Sequence, residues 1–280
     1  MPGTMADLEV RLLLEAIFDR YHYDFRSYAP ASLKRRLAQA CEQLGVATLS
    51  GLQERVLHES ETFSTLLQYL TVQVSDMFRD PEFFAALRKQ VLPLLATYPS
   101  IKVWCAGCST GEEAYSLAIL LHEEGLLDRS IIYATDINAQ SLREAESGVF
   151  DLARLRDFTQ NHRRSGATTS LSDYYHASGS AASGRYAIMD AKLRRKITFS
   201  DHSLATDNVF SEVHLVTCRN VLIYFDQSLQ DRALRLFADA LVGRGFLGLG
   251  SKESIRFSGA AQFFTDFAMP ERIYRKKGPP

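Results

Sequence analysis

The feature that most constrains the fold of this chain is a short apolar run, followed by a stretch of small residues and then by a segment with helical spacing. Residues 101–105 (I-K-V-W-C) are typical of a buried strand, and residues 106–111 (A-G-C-S-T-G) predict a turn. Residues 112–121 then have helical apolar spacing, with Glu112 and Glu113 in the first turn, where the helix dipole favours acidic side chains. Together these segments predict a cofactor site at the carboxyl edge of a parallel sheet.

The residues of this turn exclude two common ligands and favour a third. No lysine follows Gly111, as a nucleoside triphosphate loop requires, and a dinucleotide fingerprint needs one more glycine than Gly107 and Gly111 supply. Two glutamates at the helix start would repel a pyrophosphate but suit a cation or hydroxyl donors. The next strand, residues 131–135, ends at Asp136, which is placed to accept hydrogen bonds from ribose hydroxyls. The pattern favours S-adenosylmethionine, with a generic α/β unit as the alternative.

Composition narrows the class of protein. The chain has 280 residues, 46% of them hydrophobic, and a net charge of −1, which is typical of a globular protein and argues against broad nucleic-acid binding. No apolar run is long enough to cross a membrane and no signal peptide opens the chain, so we expect a cytoplasmic protein. Cys105 and Cys108 form a C-x-x-C pair, but nothing completes a metal site around them, so we expect buried thiols and no metal.

Periodicity divides the chain into two predicted domains. Residues 5–95 are predicted to be entirely helical, and residues 96–280 to form an α/β domain. Within the second domain, a polar stretch over residues 160–185 is too long for a plain connection. Short β-like segments at 174–176, 186–189 and 196–199 predict a small antiparallel β-subdomain inserted at about 172–196.

A second stretch with polar side chains, Cys218–Phe225, directly follows a predicted core strand. Arg219, Asn220 and the hydroxyl of Tyr224 are therefore expected at the sheet's carboxyl edge, beside the first turn. There they could orient a carboxylate. The alternative is structural: Tyr224 would be a core aromatic and Arg219 part of a salt bridge.

One basic cluster, residues 34–36, stands in the helical half. Leu33 and Leu37 mark the buried stripe of its helix, so Lys34 and Arg36 are expected to flank that stripe while Arg35 points to solvent. A docking site for an acidic partner is one interpretation. An ordinary solvated helix face is the other.

These segments also carry a family resemblance. The runs A-G-C-S-T-G-E-E-A-Y-S, T-D-I-N, C-R-N-V-L-I-Y-F-D and G-F-L-G-L-G-S-K-E-S, with V-S-D-M-F-R-D-P-E-F-F before them, resemble the chemotaxis receptor methyltransferases of the CheR family. The resemblance implies an all-helical N-terminal domain and a Rossmann-like methyltransferase domain with an inserted β-subdomain. It also implies methyl transfer from S-adenosylmethionine to glutamates on the cytoplasmic helices of chemoreceptors, and it leaves open a receptor C-terminal peptide as a partner of the β-subdomain.

The resemblance further implies roles for single residues. Glu113 and Asp136 look like contacts to the methionine end and the ribose, and Ser75 and Arg79 like residues that close over the donor. The remaining expected cofactor positions are Gln73 and Ser203, which stand where the family has asparagine, followed by Leu204, Arg219 and Asn220. Arg79 and Tyr224 look like the pair nearest the transferring methyl.

The implied chemistry is simple. A glutamate side chain has a reference pKa of about 4.3, so it is already a carboxylate nucleophile at neutral pH and needs no general base. Arg79 is expected to orient the reactants and Tyr224 to donate a hydrogen bond. Two alternatives stay open: a methyltransferase of the same fold that acts on another carboxylate or a small molecule, and a receptor-docking or donor-binding regulatory member with weak or no turnover.

Overall fold

The computed structural model describes residues 4–71, 73–180 and 184–278, and its N-terminal part is a helical bundle. The helices are α1 Met5–Tyr21, α2 Pro30–Leu44, α3 Leu49–His58 and α4 Ser60–Leu70. Thr4 and Asp7 form a capping box before α1, and Gly45 ends α2 in the left-handed conformation that glycine adopts without strain. Apolar side chains on one face of each helix meet in a core that is separate from the core of the sheet.

The rest of the described chain alternates strands and helices. The strands are β1 Ile101–Ala106, β2 Ser130–Asp136, β3 Val149–Asp151, β4 Tyr175–Ser180, β5 Gly184–Met189, β6 Ile197–Asp201, β7 Val213–Cys218, β8 Leu241–Leu249, β9 Phe264–Ala268 and β10 Ile273–Lys276. The helices are α5 Pro81–Ala86, α6 Leu92–Leu95, α7 Glu112–Glu123, α8 Ala139–Ser147, α9 Leu155–Arg164, α10 Ala191–Arg194 and α11 Gln227–Ala240.

The main sheet has the order β6-β2-β1-β7-β8-β10-β9. Its first five strands run parallel, and β10 lies antiparallel between β8 and β9. The strand order reverses between β1 and β7, and at such a switch point the carboxyl ends of neighbouring strands leave a crevice for a ligand. The predicted fold class, an α/β methyltransferase domain after a helical domain, is confirmed.

The small antiparallel sheet is present, but one of its predicted strands belongs elsewhere. Its order is β3-β5-β4. The insertion was expected as a β-hairpin or as three strands, with residues 196–199 as the third; of these, residues 197–199 instead lie in β6, which pairs in parallel with β2 from Ile197 to Asp201. The expectation was wrong because a short apolar alternation predicts a strand without indicating which sheet it joins. Residues 181–183 of the predicted insertion lie outside the described residues.

The helical stretch from α5 to α6 packs with the sheet. A π-helical turn, Leu87–Val91, joins these two helices, and the aromatic rings of Phe83 and Phe84 lie in the same core as the residues of β1. The predicted domain boundary at residue 95 assigns this stretch to the helical domain. Helical spacing alone does not show which core a helix joins. The predicted boundary therefore places α5 and α6 in the helical domain, although they pack with the sheet.

The helical domain is fastened to the α/β domain beside one predicted site residue. The Ala29 N–H donates to the Tyr224 carbonyl at 2.8 Å, and the Asp226 N–H donates to the Ser27 carbonyl at 2.8 Å. Between them, Tyr28 and Phe225 form an antiparallel bridge. Among the described residues, no helix combines the length and apolarity needed to cross a membrane.

Candidate active site

A cleft of about 300 Å³ opens at the switch point of the main sheet. Residues that follow β1, β2, β6 and β7 line one side, and Tyr23 and Tyr28 of the helical domain line the other. This volume is at the lower end of the range for small-molecule sites. Every predicted cofactor residue and Tyr224 line the cleft together: Gln73, Ser75, Arg79, Glu113, Asp136, Ser203, Leu204, Arg219 and Asn220. Which of them touch a donor stays a prediction.

The turn after β1 is closely fitted to its surroundings. Gly107 has φ 73°, and a Cβ atom there would lie 2.4 Å from Cγ2 of Val221, so the position requires glycine. Ser109 also has a positive φ, 51°, and its N–H points to the carboxylate of Asp136. The turn is therefore fixed against the loop after β7 and against the end of β2.

Asp136 holds its carboxylate ready for a ligand. One oxygen accepts the Ser109 N–H at 2.8 Å and the other accepts the Asn138 N–H at 2.9 Å. Burial raises the pKa of Asp136, and these backbone bonds counter part of that rise. The Ile137 N–H is a third backbone donor to this carboxylate, and since a carboxylate accepts about four hydrogen bonds, some acceptor capacity is left. The geometry suits a ligand that donates a hydroxyl proton.

Glu113 is held by an arginine from the other side of the cleft. Its carboxylate accepts Arg219 Nη1 at 3.0 Å, while Arg219 Nη2 donates to Asp80 at 2.7 Å and to the Arg79 carbonyl at 2.8 Å. The Arg219 side chain is 1% exposed and its guanidinium lies 4.3 Å from the centroid of the Phe83 ring. Arg219 therefore lines the cleft with both terminal nitrogens engaged by the protein and Nε buried without a partner, and its two ion pairs agree with the salt-bridge alternative.

Strain is concentrated in the segment that carries Arg79. Phe78 and Asp80 have φ of 53° and 54°, which non-glycine residues rarely adopt. The Phe78 N–H donates to Ser116 Oγ at 2.8 Å, and Arg219 holds Asp80, so both sides of the segment are fixed. Arg79 itself donates to the Val74 carbonyl at 3.2 Å and lines the cleft.

Glu112, the neighbour of Glu113, has a structural role and not the ligand-binding role expected from the sequence. Glu112 is fully buried and its carboxylate accepts Arg154 Nη1 at 2.7 Å. Arg154 also donates to the Ser75 carbonyl and, at 3.2 Å, to Asp76. Glu113 thus faces the cleft, and Glu112 braces the segment that contains Ser75.

The side chains of Gln73 and Ser203 form hydrogen bonds within the protein. Gln73 accepts hydrogen bonds from the hydroxyls of Ser109 at 2.9 Å and Ser141 at 2.6 Å, and its amide nitrogen donates to Thr71. Ser203 Oγ accepts the N–H groups of Ala205 and Thr206, both at 3.3 Å. Both residues shape the cleft wall, with their polar groups already occupied.

A buried glutamate that the sequence analysis missed positions the loop after β7. Glu253 accepts the N–H groups of Asn220 at 3.0 Å, Val221 at 2.9 Å, Ile223 at 3.3 Å and Gly250 at 2.6 Å. Burial raises the pKa of Glu253, and the backbone bonds act against that rise. The signal was present in the G-L-G-S-K-E-S run, but no pattern rule connects a glutamate to a loop thirty residues earlier.

Asn220 belongs to this loop and has an unused acceptor. It has φ 60°, and its side-chain Oδ1 is buried without a hydrogen-bond partner. A buried polar atom of this kind indicates a missing donor. A ligand in the adjoining cleft could supply it.

Tyr224 is covered from behind by Arg36. The Arg36 guanidinium lies 4.3 Å from the centroid of the Tyr224 ring, and Nη1 donates to the Leu70 carbonyl. Arg36 is only 4% exposed, so the expectation that it flanks the buried stripe as part of a docking surface is wrong. The physical reason is helical spacing. Leu33 lies three residues before Arg36 and Ala40 lies four residues after it, so these side chains share the buried face with the adjacent Leu37.

Lys34 is the exposed member of the expected docking pair. It forms an ion pair with Asp7 of α1, and its side chain is 50% exposed. Its neutralising partner is on the same domain, so it agrees better with a solvated helix face than with an unsatisfied docking charge.

The two cysteines near the turn are buried thiols. Burial raises the pKa of Cys105 and of Cys108 well above the ordinary value. Both side chains are therefore neutral and weakly nucleophilic at neutral pH.

The charges around the cleft favour a cationic ligand. Five carboxylates line it: Asp24, Glu113, Asp136, Asp201 and Asp207. The two arginines of the wall are Arg79 and Arg219, and Arg219 is already paired with Glu113 and Asp80. A donor that carries a sulfonium and an ammonium fits this acidic cleft.

Comparison with known proteins agrees with this site. A family model for the all-alpha domain of CheR methyltransferase matches residues 8–71, and one for its SAM binding domain matches residues 73–271. The chain is 57% identical over 270 residues to the Pseudomonas putida protein named "Putative methyltransferase Cher3", covering 96% of this chain and 97% of that one. It is 31% identical over 233 residues to a chemotaxis protein methyltransferase of Vibrio parahaemolyticus, covering 80% of each chain.

The fold, the cleft and the matches to the family models together define a methyltransferase that uses S-adenosylmethionine. The chain belongs to the CheR methyltransferase family. A third relative, the chemotaxis protein methyltransferase of Listeria monocytogenes, is 29% identical over 234 residues, covering 83% of this chain and 84% of that one. The expected family and cofactor are confirmed.

Proposed function

We propose that this protein transfers the methyl group of S-adenosylmethionine to glutamate side chains on the cytoplasmic helices of methyl-accepting chemoreceptors. The observation that carries the proposal is the acidic cleft at the switch point, which combines a cation-binding wall with Arg79 and Tyr224. The names of the relatives from Vibrio and Listeria support a receptor-linked substrate.

In this proposal the donor is held by groups that the fold leaves available. Asp136 accepts a hydrogen bond from a ribose hydroxyl with its remaining acceptor capacity, and Glu113 accepts the ammonium at the methionine end. The unpartnered Oδ1 of Asn220 and the side chain of Leu204 form the nucleoside wall. Gln73, Ser75 and Ser203 shape the cleft, and Arg219 is a positioning residue for Glu113 and for the Arg79 backbone.

When bound, S-adenosylmethionine supplies an electrophilic methyl group on its sulfonium. The protein's own task is alignment and exclusion of water, effects that reach on the order of 7–11 kcal/mol. The substrate carboxylate is ionised at neutral pH, so no residue needs to remove a proton. Arg79 orients that carboxylate, and the Tyr224 hydroxyl donates a hydrogen bond to it. One nitrogen of the Arg79 guanidinium donates to the Val74 carbonyl, which leaves its other N–H groups for the substrate.

The test is transfer of tritiated methyl to a panel of receptor cytoplasmic fragments from the same cell. Label that alkali releases as methanol identifies a methyl ester, and replacing the acceptor glutamate with alanine should abolish it. Label on a small molecule instead would favour the small-molecule alternative. Tight binding of S-adenosylhomocysteine by calorimetry, without transfer to any fragment, would favour a regulatory member.

A receptor C-terminal peptide belongs to the same proposal as a second partner. In the small sheet, β4 is an outer strand and pairs on one side with β5. Such an edge can accept an extended peptide as an added strand. Removing the peptide from the receptor fragment should raise the KM and leave the kcat unchanged.

A further inference from the structure

The loop after β8 carries the most exposed large apolar side chain in the part of the chain that the structure describes. Phe257 is 87% exposed, whereas Ile255 and Ser258, which flank it in the loop, are buried. A single exposed apolar residue is ordinary on a protein surface, so exposure alone indicates no function. The informative features are how the loop is held and what lies beside it.

The backbone of this loop is fixed on both sides of the exposed ring. Ile255 is buried in the core that contains α11, and the Phe257 carbonyl accepts a hydrogen bond from Gln227 Nε2 at 3.2 Å. The Arg256 N–H donates to Ser254 Oγ at 3.1 Å, which closes a tight turn before the ring. Phe257 is therefore presented to solvent by a preorganised backbone, so little conformational entropy is lost when a partner covers it.

The same loop is tied to the residues that line the cleft. Glu253, four residues before Phe257, accepts the Ile223 N–H at 3.3 Å, and the next residue, Tyr224, lines the cleft. Gln227, which holds the Phe257 carbonyl, follows Tyr224 by three residues. Three residues of chain span at most about 11 Å. Phe257 therefore lies at the rim of the cleft, within reach of a large substrate whose reacting group lies at Tyr224.

The surface around Phe257 is apolar and basic. Ile223 is 40% exposed. Lys252 and Arg256 are also exposed, and no carboxylate within the described part of the chain pairs with either of them. These four residues form what we call the rim patch: Ile223, Lys252, Arg256 and Phe257. The rim patch combines one projecting aromatic ring with two unpaired positive charges, beside a cleft whose wall is acidic.

A partner that fits the rim patch offers both apolar surface and negative charge. The substrate of the proposed function is a helix that carries glutamates, and residues three, four and seven apart share one face of a helix. Successive turns lie about 5.4 Å apart, so a helix with its acceptor glutamate at Tyr224 extends past the rim of the cleft. The acidic cleft repels the other carboxylates of such a helix, whereas the rim patch attracts them.

We propose that the rim patch binds the turns of the receptor helix that flank the acceptor glutamate, with the Phe257 ring packed on that helix and Lys252 and Arg256 attracting its carboxylates. This inference rests on the proposed function. The rim patch lies outside the cleft, so it holds the helix equally well before and during methyl transfer. Loss of such uniform binding raises the KM and leaves the kcat unchanged.

The first experiment compares Phe257→Ser and Phe257→Leu with Phe263→Ser as the matched control. Phe263 is 40% exposed and lies with Gly243 near the opposite end of β8. Methylation rates are measured against receptor-fragment concentration, and S-adenosylhomocysteine affinity is measured by calorimetry. We expect Phe257→Ser to raise the KM about ten-fold, as the loss of a largely covered aromatic ring would. Phe257→Leu and Phe263→Ser should stay within about two-fold of the wild type, and the kcat and donor affinity should be unchanged in all three.

The second experiment tests the charges of the rim patch. Arg256→Glu is compared with Lys89→Glu, a reversal of the same sign on the exposed side of the π-helical turn, next to the arginine that pairs with Glu123. We expect Arg256→Glu to raise the KM about five-fold at low salt and about two-fold at physiological salt, because screening weakens interactions between exposed charges. Lys89→Glu should match the wild type at both salt concentrations.

Each other outcome overturns the inference. Equal KM values for Phe257→Ser and Phe263→Ser, or equal losses in Phe257→Ser and Phe257→Leu, would exclude packing of the ring on the substrate. A lower kcat or weaker donor binding with an unchanged KM would make the loop a support of the cleft alone. An effect of Arg256→Glu that does not change with salt would contradict attraction by charge. A wild type that methylates no fragment removes the proposed function and this inference together, whereas an active wild type with an unaffected Phe257→Ser removes the inference alone.

Discussion

Arg219 and Arg36 are two buried arginines beside the same cleft, and they differ in what they touch. The Arg219 guanidinium contacts two carboxylates, a carbonyl and the Phe83 ring, all on the α/β domain. Arg36, on the helical domain, donates to one carbonyl and contacts Tyr224 through its ring and a side-chain hydrogen bond, with no carboxylate among the described residues as its partner. Removing Arg219 would leave two carboxylates without their partner, whereas removing Arg36 would leave none. Mutations at the two sites should therefore differ in their effect on stability.

The largest expected effect tests the paired cation. Arg219→Met leaves Glu113 and Asp80 without their partner, and breaking a partly buried pair of this kind costs about 3 kcal/mol of unfolding free energy. Arg36→Met strands no carboxylate, so its cost should stay below about 1 kcal/mol. Urea unfolding of both variants measures the difference. Equal losses of stability would break the comparison between the two arginines.

Asp136 extends the comparison to an anion. Its partners are backbone N–H groups rather than a cation, so its charge is left for the ligand. Asp136→Asn should weaken S-adenosylhomocysteine binding roughly 30-fold, or about 2 kcal/mol, through loss of a charge-assisted bond. Calorimetry measures this affinity, with Asp201→Asn on the same wall as the control. If Asp136→Asn bound S-adenosylhomocysteine as tightly as the wild type, the ribose would not lie at this position.

The same distinction explains how far the sequence could predict the site. Asp136 and Glu113 follow apolar runs at a sheet edge, where local pattern is enough to place a polar side chain in a crevice. Arg36 follows the helical period of Leu33 and Leu37, but a charged residue on a buried stripe is normally assigned to solvent, so only the packing of α2 against Tyr224 could reveal it.

For the same reason, the sequence could not predict contacts between residues that are far apart in the chain. Glu253 and Arg154 act on segments far away in the chain, and no local pattern encodes such pairs. The fold was more predictable because each strand and helix carries its own periodicity. The exception, β6, is too short for its pattern to indicate which sheet it joins.

A third buried charge, far from the cleft, sharpens the comparison through pH. Burial alone would raise the pKa of Glu123, but hydrogen bonds from His162, Thr169 and Arg88 outweigh it and lower the pKa to about 2. Tyr174 and Glu124 are the other ionisable groups of this cluster. Because the folded pKa lies below the unfolded value of about 4.5, the stabilisation is present above that pH and is lost as the pH falls toward 2.

Glu123→Gln should therefore cost about 1.5 kcal/mol of unfolding free energy at pH 7 and less than half of that at pH 3. The measurement is urea unfolding of wild type and variant at both pH values. A paired charge should leave ligand binding alone, so the affinity for S-adenosylhomocysteine at pH 7 is the control. A stability difference that is constant with pH would contradict the ion pairing of Glu123.

The smallest expected effect separates the Tyr224 ring from its hydroxyl. Tyr224→Phe keeps the ring that the Arg36 guanidinium packs on and removes only the hydroxyl, so the shape of the cleft should be kept and the KM should stay within about two-fold of the wild type. The lost hydroxyl removes one hydrogen bond to the reacting carboxylate, which should lower the kcat about five-fold, or about 1 kcal/mol. In the double variant with Arg36→Met, the two losses should not add, because the two side chains contact each other through the ring and a hydrogen bond. Methylation rates over a range of fragment concentrations give both constants for all three proteins. A Tyr224→Phe enzyme with the kcat of the wild type would remove the hydroxyl from the chemistry.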